Sequence, residues 1–238
     1  DVRAHPARLG RLCWTSNVVK SSGPVRFALP VDDSEQVSAV LAEAVEDDMR
    51  LAGLSGQVDG GVLPGFLVPG ADAVYPGMSA QLHDRCAAYR AELAVVDEAM
   101  QPVLGRSVRD LVLHVDDAAH DPQLARPAVF AVECALGRTL AGFGITPAWM
   151  IGEGVGQYAA AVLAGALSLT DACALVTGQD GAAVTWQSPT APVYSAHGGA
   201  ALDEATFREA VEGESAGSDA VGEAVRALRK APSHLVEI

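Results

Sequence analysis

The stretch WMIGEGVGQYAAAVLAGALSL, Trp149 to Leu169, predicts a strand, a tight glycine turn and a helix of small residues. Enzymes use this strand–turn–helix geometry to present a serine nucleophile, which stands at the centre of a G-x-S-x-G frame. Here the frame is G-E-G-V-G, Gly152 to Gly156, and its centre is Gly154. Glycine keeps the backbone conformation of the turn available but has no side chain that could attack a substrate. The stretch therefore predicts an α/β fold with a nucleophile-type turn that carries no nucleophile.

The composition is that of an acidic chain with enough apolar residues for a sizeable core. Half of the 238 residues are hydrophobic but only 5% are aromatic, so the core must be filled mainly by Ala, Val and Leu. The formal net charge is -14. Because such a surface repels phosphate backbones and anionic lipid headgroups, we expect no binding to nucleic acid or to a membrane surface.

The cysteines and histidines give no sign of a metal site or a disulfide framework. Cys13, Cys86, Cys134 and Cys173 are scattered, and the sequence has no CxxC or Cys/His cluster. It also has no histidine pair with ligand spacing and no Gly-x-Gly-x-x-Gly pattern, so we expect no metal and no cofactor. Free cysteines, the lack of a signal peptide and the lack of a membrane-length apolar run favour the cytoplasm. An opening at Asp1 suggests a segment of a longer protein.

The chain is expected to contain two α/β units, 1–61 and 62–238. The glycine-rich stretch GLSGQVDGG, 53–61, is interpreted as a linker between them. The elements predicted for the first unit are a helix over 8–19, a strand over Val25–Val31 and a helix with Ser34 as its N-cap.

The second unit is expected to contain a parallel sheet covered by helices. Its first strand is Phe66–Val68, and helices then dominate from Met78 to Phe143, with Pro127 in the first turn of the clearest one. The remaining predicted elements are a strand over Trp149–Ile151, helices over 155–165 and 169–179, strands over 182–186 and 191–196, helices over 203–212 and 218–230, and a strand over Leu235–Ile238. Ser168 and Asp171 form a capping-box pattern for the helix over 169–179.

Three stretches together resemble a known family. They are PGADAVYPGM (Pro69–Met78), ARPAVFAVECAL (Ala125–Leu136) and MIGEGVGQYAAAVLAGALSLTDA (Met150–Ala172). In order and in length they resemble the acyltransferase domains of modular polyketide synthases, which are related to malonyl-CoA:acyl carrier protein transacylases. LCWTSNVVKSSGPVRFALPVDD, Leu12–Asp33, resembles the linker that joins a ketosynthase to such a domain.

The resemblance implies that the catalytic groups of the family are absent from this chain. The nucleophilic serine falls on Gly154, and the histidine before it falls on Glu153. The oxyanion-assisting glutamine falls on Ala71, and the arginine that pairs with the malonyl carboxylate falls on Gln179. The general-base histidine belongs to an inserted ferredoxin-like subdomain, and only about ten residues, 181–190, stand where that subdomain would be.

The resemblance therefore implies a pseudoenzyme: an acyltransferase-like domain that acts as a structural scaffold in a polyketide synthase. The implied fold is a small α/β linker domain followed by a parallel-sheet hydrolase-like core without the ferredoxin-like subdomain. The implied partners are the neighbouring ketosynthase and acyl carrier protein, or a trans-acting acyltransferase.

Two other functions remain open at this point. The truncated cleft could be a docking platform for a trans-acting acyltransferase, an acyl carrier protein or a tailoring domain. Trp186 and Tyr194 would then form an exposed apolar patch, whereas a scaffold would bury them. The chain could also be a repurposed hydrolase or decarboxylase that uses Glu153. His197, in YSAHGG, is interpreted as a surface turn histidine.

Overall fold

The structure is a computed structural model, and the chain divides into two compact units, Asp1–Gly61 and Val62–Ile238. The residues that it describes are 8–19, 23–28, 31, 33–46, 55–57, 64–114, 121–179, 184–197, 199, 201–207, 220–227 and 234–238. Parts of several predicted segments therefore lie outside the described residues: 29–30, 53–54, 58–61, 115–120, 182–183, 208–212, 218–219 and 228–230.

The described residues of the first unit form two helices and a two-stranded sheet. Its elements are α1 (Leu9–Trp14), which continues into a π-helical turn (Thr15–Val19), β1 (Val25–Phe27), α2 (Ser34–Glu46) and β2 (Ser55–Gln57). β1 pairs with β2 in antiparallel fashion. The interpretation of 53–61 as a linker is therefore wrong for the residues of β2.

The N-cap predicted for α2 is one residue out of place. Asp33 Oδ1 accepts hydrogen bonds from the backbone N–H groups of Glu35 (2.9 Å) and Gln36 (2.8 Å). Ser34 is instead the first residue of the helix. Both residue types make good caps, and here the aspartate one position earlier reaches the free N–H groups of the first turn.

The second unit contains a four-stranded sheet in which every pair of neighbouring strands is parallel, as predicted. The strands are β3 (Gly65–Val68), β4 (Trp149–Gly152), β5 (Val193–Ser195) and β6 (Leu235–Glu237). They lie in the order β5-β4-β3-β6. β3 and β4 are adjacent at the centre, so the segments that follow them emerge side by side at the same edge of the sheet.

Helices supply most of the core of this unit. Among the described residues they include α3 (Ala80–Arg85), α4 (Ala87–Leu104), α5 (Val108–Leu113), α6 (Pro122–Gly142), α7 (Gly156–Leu163), α8 (Leu169–Val176) and α9 (Ala220–Ala227). Residues 204–207, in the helix predicted over 203–212, are also helical. The largest fully buried side chains of the core include Tyr89, Leu93, Met100, Phe130 and Met150. Most other core residues are Ala and Val, which agrees with the low aromatic content.

Two local predictions for the helices have different outcomes. Ser168 Oγ accepts a hydrogen bond from the Asp171 N–H over 3.0 Å, so the predicted cap of α8 is confirmed. Pro127 does not begin its helix, because Asp121 caps α6 and Pro122 occupies its first turn. The N–H groups of a first turn have no partner within the helix, so proline, which lacks an N–H, fits there, and Pro122 is the proline at this position.

The strand predicted over 182–186 is wrong for its described residues, Val184–Trp186, which have no regular secondary structure. The segment is instead held against the loop that follows α7. The N–H of Gln187 donates to the carbonyl oxygen of Ala166 over 2.9 Å, and the N–H of Thr190 donates to that of Ala164 over 2.8 Å.

Candidate functional site

The candidate site is the turn that joins β4 to α7. The strand ends at Gly152, the chain turns through Glu153 and Gly154, and the helix begins at Gly156. Gly154 has a φ of +49°, in the left-handed region that glycine adopts without steric cost. The Gly156 N–H donates to the carbonyl oxygen of Glu153 over 2.8 Å, which closes the turn. This is the sharp strand-to-helix turn predicted from the sequence.

Two glycines that flank the turn allow the backbone to pack closely. A Cβ at Gly152 would lie 2.6 Å from the Cα of Gln157, and one at Gly156 would overlap the carbonyl oxygens of Val68 and Pro69. No side chain fits at either position without moving the backbone. Both glycines are therefore required by the packing of α7 on the sheet.

Gly154 differs from Gly152 and Gly156, because a side chain at position 154 would have enough space. A Cβ built at Gly154 would meet no heavy atom within 4 Å. The tip of the turn therefore has room for a side chain, at the position where related turns hold a nucleophile. Its φ of +49° makes any L side chain strained, and such strain is typical of functional turns.

The segment after β3 forms the second wall of the site. The register pairs Val68 with Gly152, so Pro69 and Glu153 both follow the carboxyl ends of adjacent parallel strands. The Glu153 N–H donates to the carbonyl oxygen of Val68 over 2.9 Å, and a Cβ at Gly70 would lie 3.4 Å from the carbonyl oxygen of Glu153. Ligands of open α/β sheets bind in crevices at this edge.

Acidic side chains dominate the electrostatics of the turn. Glu153 is partly buried, and its pKa is raised above the usual value of 4.5, mainly by desolvation and further by the charge of Asp72. Asp72 lies in the short 3-10 turn Ala71–Ala73, which follows β3. Like charges raise each other's pKa, and they also repel an anionic substrate.

The remaining predicted positions have different surroundings. Ala71 is half-buried in the 3-10 turn beside the elbow, so the structure brings it to the same edge as Glu153 and Gly154. Gln179 is exposed just after α8, where its N–H donates to the carbonyl oxygen of Ala174 over 2.9 Å. His197 is exposed in the turn after β5, and its N–H donates to Ser195 Oγ over 3.0 Å.

A cluster of three aromatic rings covers the end of the core near α7. Phe207 makes an edge-to-face contact with Tyr158 (ring centroids 5.2 Å apart) and a tilted contact with Trp186 (5.1 Å). Phe207 is only 4% exposed, and Trp186 is half-buried. Tyr194 is also half-buried, against the smaller core cluster on the sheet. Trp186 and Tyr194 therefore pack on the core and are not fully exposed.

Two acidic residues with unusual surroundings were not singled out from the sequence. Asp72 is the fourth residue after the strand that ends at Val68, inside the PGADA motif, and that position could have indicated its nearness to the elbow. Glu133 lies one turn after Val129 on the apolar face of α6, and only 2% of its surface is exposed. A carboxylate in an apolar helical pattern is the signal that could have found Glu133.

The described part of the chain has neither a metal-binding cluster nor a helix suited to a membrane. Within those residues, no group of three or more His, Cys, Asp or Glu side chains is arranged to hold a metal ion. No helix there combines the length and apolar character that crossing a membrane requires.

Comparison with known proteins identifies the family. A family model described as "Acyl transferase domain" matches residues 65–225, which include the elbow and the segment after β3. Polyketide synthase GfsB of Streptomyces halstedii is 35% identical over 135 residues, 56% of this chain and 2% of that protein. Phenolphthiocerol synthesis polyketide synthase type I Pks15/1 of Mycobacterium marinum is 31% identical over 192 residues, 74% of this chain and 9% of that protein. The chain thus spans less than a tenth of the length of these relatives.

A solved structure supports the fold along almost the whole chain. The acyltransferase domain from the second module of the salinomycin polyketide synthase superposes with a TM-score of 0.72 at 20% identity. The superposition covers 99% of this chain and 80% of that domain. Because the family model matches about two thirds of the sequence, the chain belongs to the acyl transferase domain family that occurs in polyketide synthases.

Proposed function

We propose that this chain is a catalytically inactive acyltransferase-like domain that acts as a structural scaffold within a modular polyketide synthase. The observation that carries the proposal is Gly154. It lies at the tip of an intact elbow, in the left-handed conformation, with open space where a nucleophilic side chain would project. The turn is retained without the atom for which such turns are used.

Acyl transfer needs several groups that act as a unit. A nucleophile must be deprotonated by a base and its tetrahedral intermediate stabilised by an oxyanion hole, and removing one member of such a set already costs most of the rate. In this proposal Gly154, Glu153, Ala71 and Gln179 stand at the positions of the nucleophile, its preceding histidine, the oxyanion-assisting glutamine and the carboxylate-binding arginine. None of these four supplies the missing function.

The charge at the elbow also disfavours an acyl-CoA substrate. Coenzyme A thioesters carry phosphates, and a malonyl group adds a carboxylate. Asp72 and Glu153 lie after the carboxyl ends of β3 and β4, where we place the substrate crevice of the family, and the charge of one raises the pKa of the other. Such a pair repels an anionic donor, whereas an arginine would attract it.

The scaffold role is supported by what the chain has kept. The close contacts of Gly152 and Gly156 preserve the packing of α7 on the sheet. The contacts of Trp186 and Phe207 cover the core at the segment where we place the loss of the ferredoxin-like subdomain. A domain that serves only to space its neighbours needs this packing and no cleft.

In the longer protein that we propose, residues 1–61 are the linker that follows a ketosynthase, and residues 62–238 are the truncated core. The partners are then the neighbouring ketosynthase and acyl carrier protein, in the cytoplasm, and extender units come from another acyltransferase. The half-buried state of Trp186 and Tyr194 favours this scaffold over a docking platform for a trans-acting partner.

One observation favours a second candidate, a hydrolase or decarboxylase that uses Glu153. This carboxyl lies at the elbow with a raised pKa, as general acids often do. The charged group that contributes to the shift is another carboxyl, Asp72, and not a histidine or an arginine that would pair with Glu153 in catalysis. The inactive scaffold is therefore the stronger proposal.

Incubation with malonyl-CoA tests the two candidates directly. The purified chain is incubated with malonyl-CoA and its intact mass is measured, with free coenzyme A and acetyl-CoA assayed in the same samples. The scaffold predicts an unchanged mass and no turnover above buffer, while a serine-containing acyltransferase domain is acylated as the positive control. Acylation or turnover that is lost in Glu153→Gln would establish the second candidate instead.

A further inference from the structure

A second region of the molecule has the features of a binding site. A cavity of about 380 Å³ lies between α6, the segment after β3, and the end of β6. Its volume falls within the roughly 300–1,000 Å³ range of small-molecule pockets. The residues of the elbow tip, Glu153 and Gly154, are not among those that line it.

Glu133 is part of the wall of this cavity. It is 98% buried, with an exposed fraction of 2%, and neither of its carboxyl oxygens has a hydrogen-bond partner among the described residues. Burial raises the pKa of this carboxyl well above 4.5. A buried carboxyl without a partner is costly, and native proteins rarely retain one without a ligand or a function.

The rest of the lining determines what kind of group would pair with Glu133. Most of it is apolar, and includes Leu82, Leu136 and Ile238. The other carboxyl in the lining is Glu237, which is exposed at the end of β6. Among the described residues that line the cavity there is no lysine, arginine or histidine. Any charge on these side chains is therefore negative and attracts a cation. The apolar residues favour a ligand whose remaining part is apolar.

Two tyrosines complete the polar groups of the lining. The hydroxyl of Tyr89 is hydrogen-bonded to Ser79 Oγ inside the core, and Tyr75 is largely exposed at the rim. Burial raises the pKa of Tyr89 to about 12, so it stays uncharged. Cys134, the neighbour of Glu133 on α6, also has a raised pKa because of burial. Burial therefore keeps Tyr89 and Cys134 uncharged near neutral pH, and the anionic group of this part of the wall has to be a carboxyl.

We propose that this cavity binds a primary alkylamine as its ammonium ion, with the alkyl chain against the apolar wall and the ammonium group on Glu133. The amine arrives protonated. Glu133 accepts the hydrogen bonds of the ammonium as a carboxylate. Each molecule whose Glu133 carboxyl holds a proton before binding therefore releases that proton to water, and the products are an ion pair and a free proton. The cavity shares Pro69 and Ala73 with the segment that forms the second wall of the elbow site, but Glu153 and Gly154 do not line it. Binding of the amine does not depend on the inactivity of the domain.

The proposal predicts that protons are released when the amine binds, which would not happen in a purely apolar cavity. n-Hexylamine is titrated into the full chain by calorimetry at neutral pH, in two buffers that differ in ionisation enthalpy. We expect release of up to one proton for each amine bound. Charge-assisted hydrogen bonds are about twice as strong as neutral ones, so Glu133→Gln should weaken binding by about tenfold and abolish the proton release.

Controls separate the charge from the shape of the cavity. 1-Hexanol should bind with the same affinity to the native chain and to Glu133→Gln, and hexanoate should bind to neither. Leu82→Trp, which narrows the cavity from its partly exposed edge, should weaken hexylamine and hexanol alike. Hexylamine binding that is absent, or that is unchanged in Glu133→Gln with no protons released, would overturn the proposal.

Discussion

Gly156, the first residue of α7, packs against Val68, the last residue of β3, with no room for a Cβ between its Cα and the Val68 carbonyl oxygen. The contact joins the helix after the elbow to the strand beside it. The Glu153 N–H, which donates to the same carbonyl oxygen over 2.9 Å, reinforces the junction. The elbow is therefore fixed by backbone contacts that do not require a catalytic side chain.

Alanine at Gly156 should destabilise the second unit much more than alanine at Gly154. The added methyl group at 156 meets backbone, which cannot move aside as a side chain would, so we expect a loss of about 3 kcal/mol in the free energy of unfolding. At 154 the space is open, and only the left-handed conformation costs about 1 kcal/mol. Urea denaturation of both variants measures the difference. Equal losses would mean that the packing across Gly156 is not as close as described.

The aromatic cluster around Phe207 should be a main source of stability at the edge of the core. Phe207→Ala removes a ring that is 4% exposed and contacts both Tyr158 and Trp186, so we expect a loss of about 3–5 kcal/mol. Phe143→Ala is the matched control, because Phe143 is 63% exposed and its loss should change stability by at most about 0.5 kcal/mol. Similar midpoints for the two variants in urea would show that the cluster does not seal the core.

Glu133 should make the stability of the chain depend on pH in a recognisable direction. Its pKa in the folded protein is raised above 4.5, so the folded state holds this proton more tightly than the unfolded state. The resulting stabilisation is fully present below pH 4.5 and is lost as pH rises toward the folded pKa, at about 1.4 kcal/mol per pH unit.

Glu133→Gln removes this dependence, because glutamine does not titrate. The free energy of unfolding of the native chain minus that of the variant should therefore fall as the pH rises above 4.5. Urea denaturation in a series of buffers gives the difference at each pH. A difference that is flat, or that rises with pH, would show that Glu133 ionises as freely in the folded state as in the unfolded chain.

The sheet and the elbow could be predicted from the sequence because local patterns determine them. Trp149–Gly152 is a short apolar run, and Gly152 and Gly156 flank the turn at the spacing that a close strand-to-helix approach requires. Ser168 was recognised as a cap because the oxygen and the N–H that it accepts from lie within three residues. Both patterns lie within a few consecutive residues of the sequence, so no knowledge of the tertiary structure is needed to recognise them.

Features that depend on tertiary packing could not be predicted in the same way. Whether Asp33 or Ser34 caps α2 is a choice between two good capping residues, and only the entry of the chain into the helix decides it. The bonds that hold Gln187 and Thr190 to the loop after α7 join residues more than twenty positions apart, so a strand was predicted there. The nearness of Asp72 to Glu153 likewise arises from two strands distant in sequence.

Gly154→Ser tests the central claim most directly, because it restores the nucleophile to an intact elbow with room for its side chain. The variant is incubated with malonyl-CoA and its intact mass is measured, after circular dichroism has verified its fold. We predict that its mass stays that of the unmodified polypeptide, since in the proposed scaffold the new serine has neither a general base nor an oxyanion-assisting group and gains little reactivity. A mass increase of one malonyl group, absent from the native chain, would show that the catalytic machinery is still in place and would contradict the account.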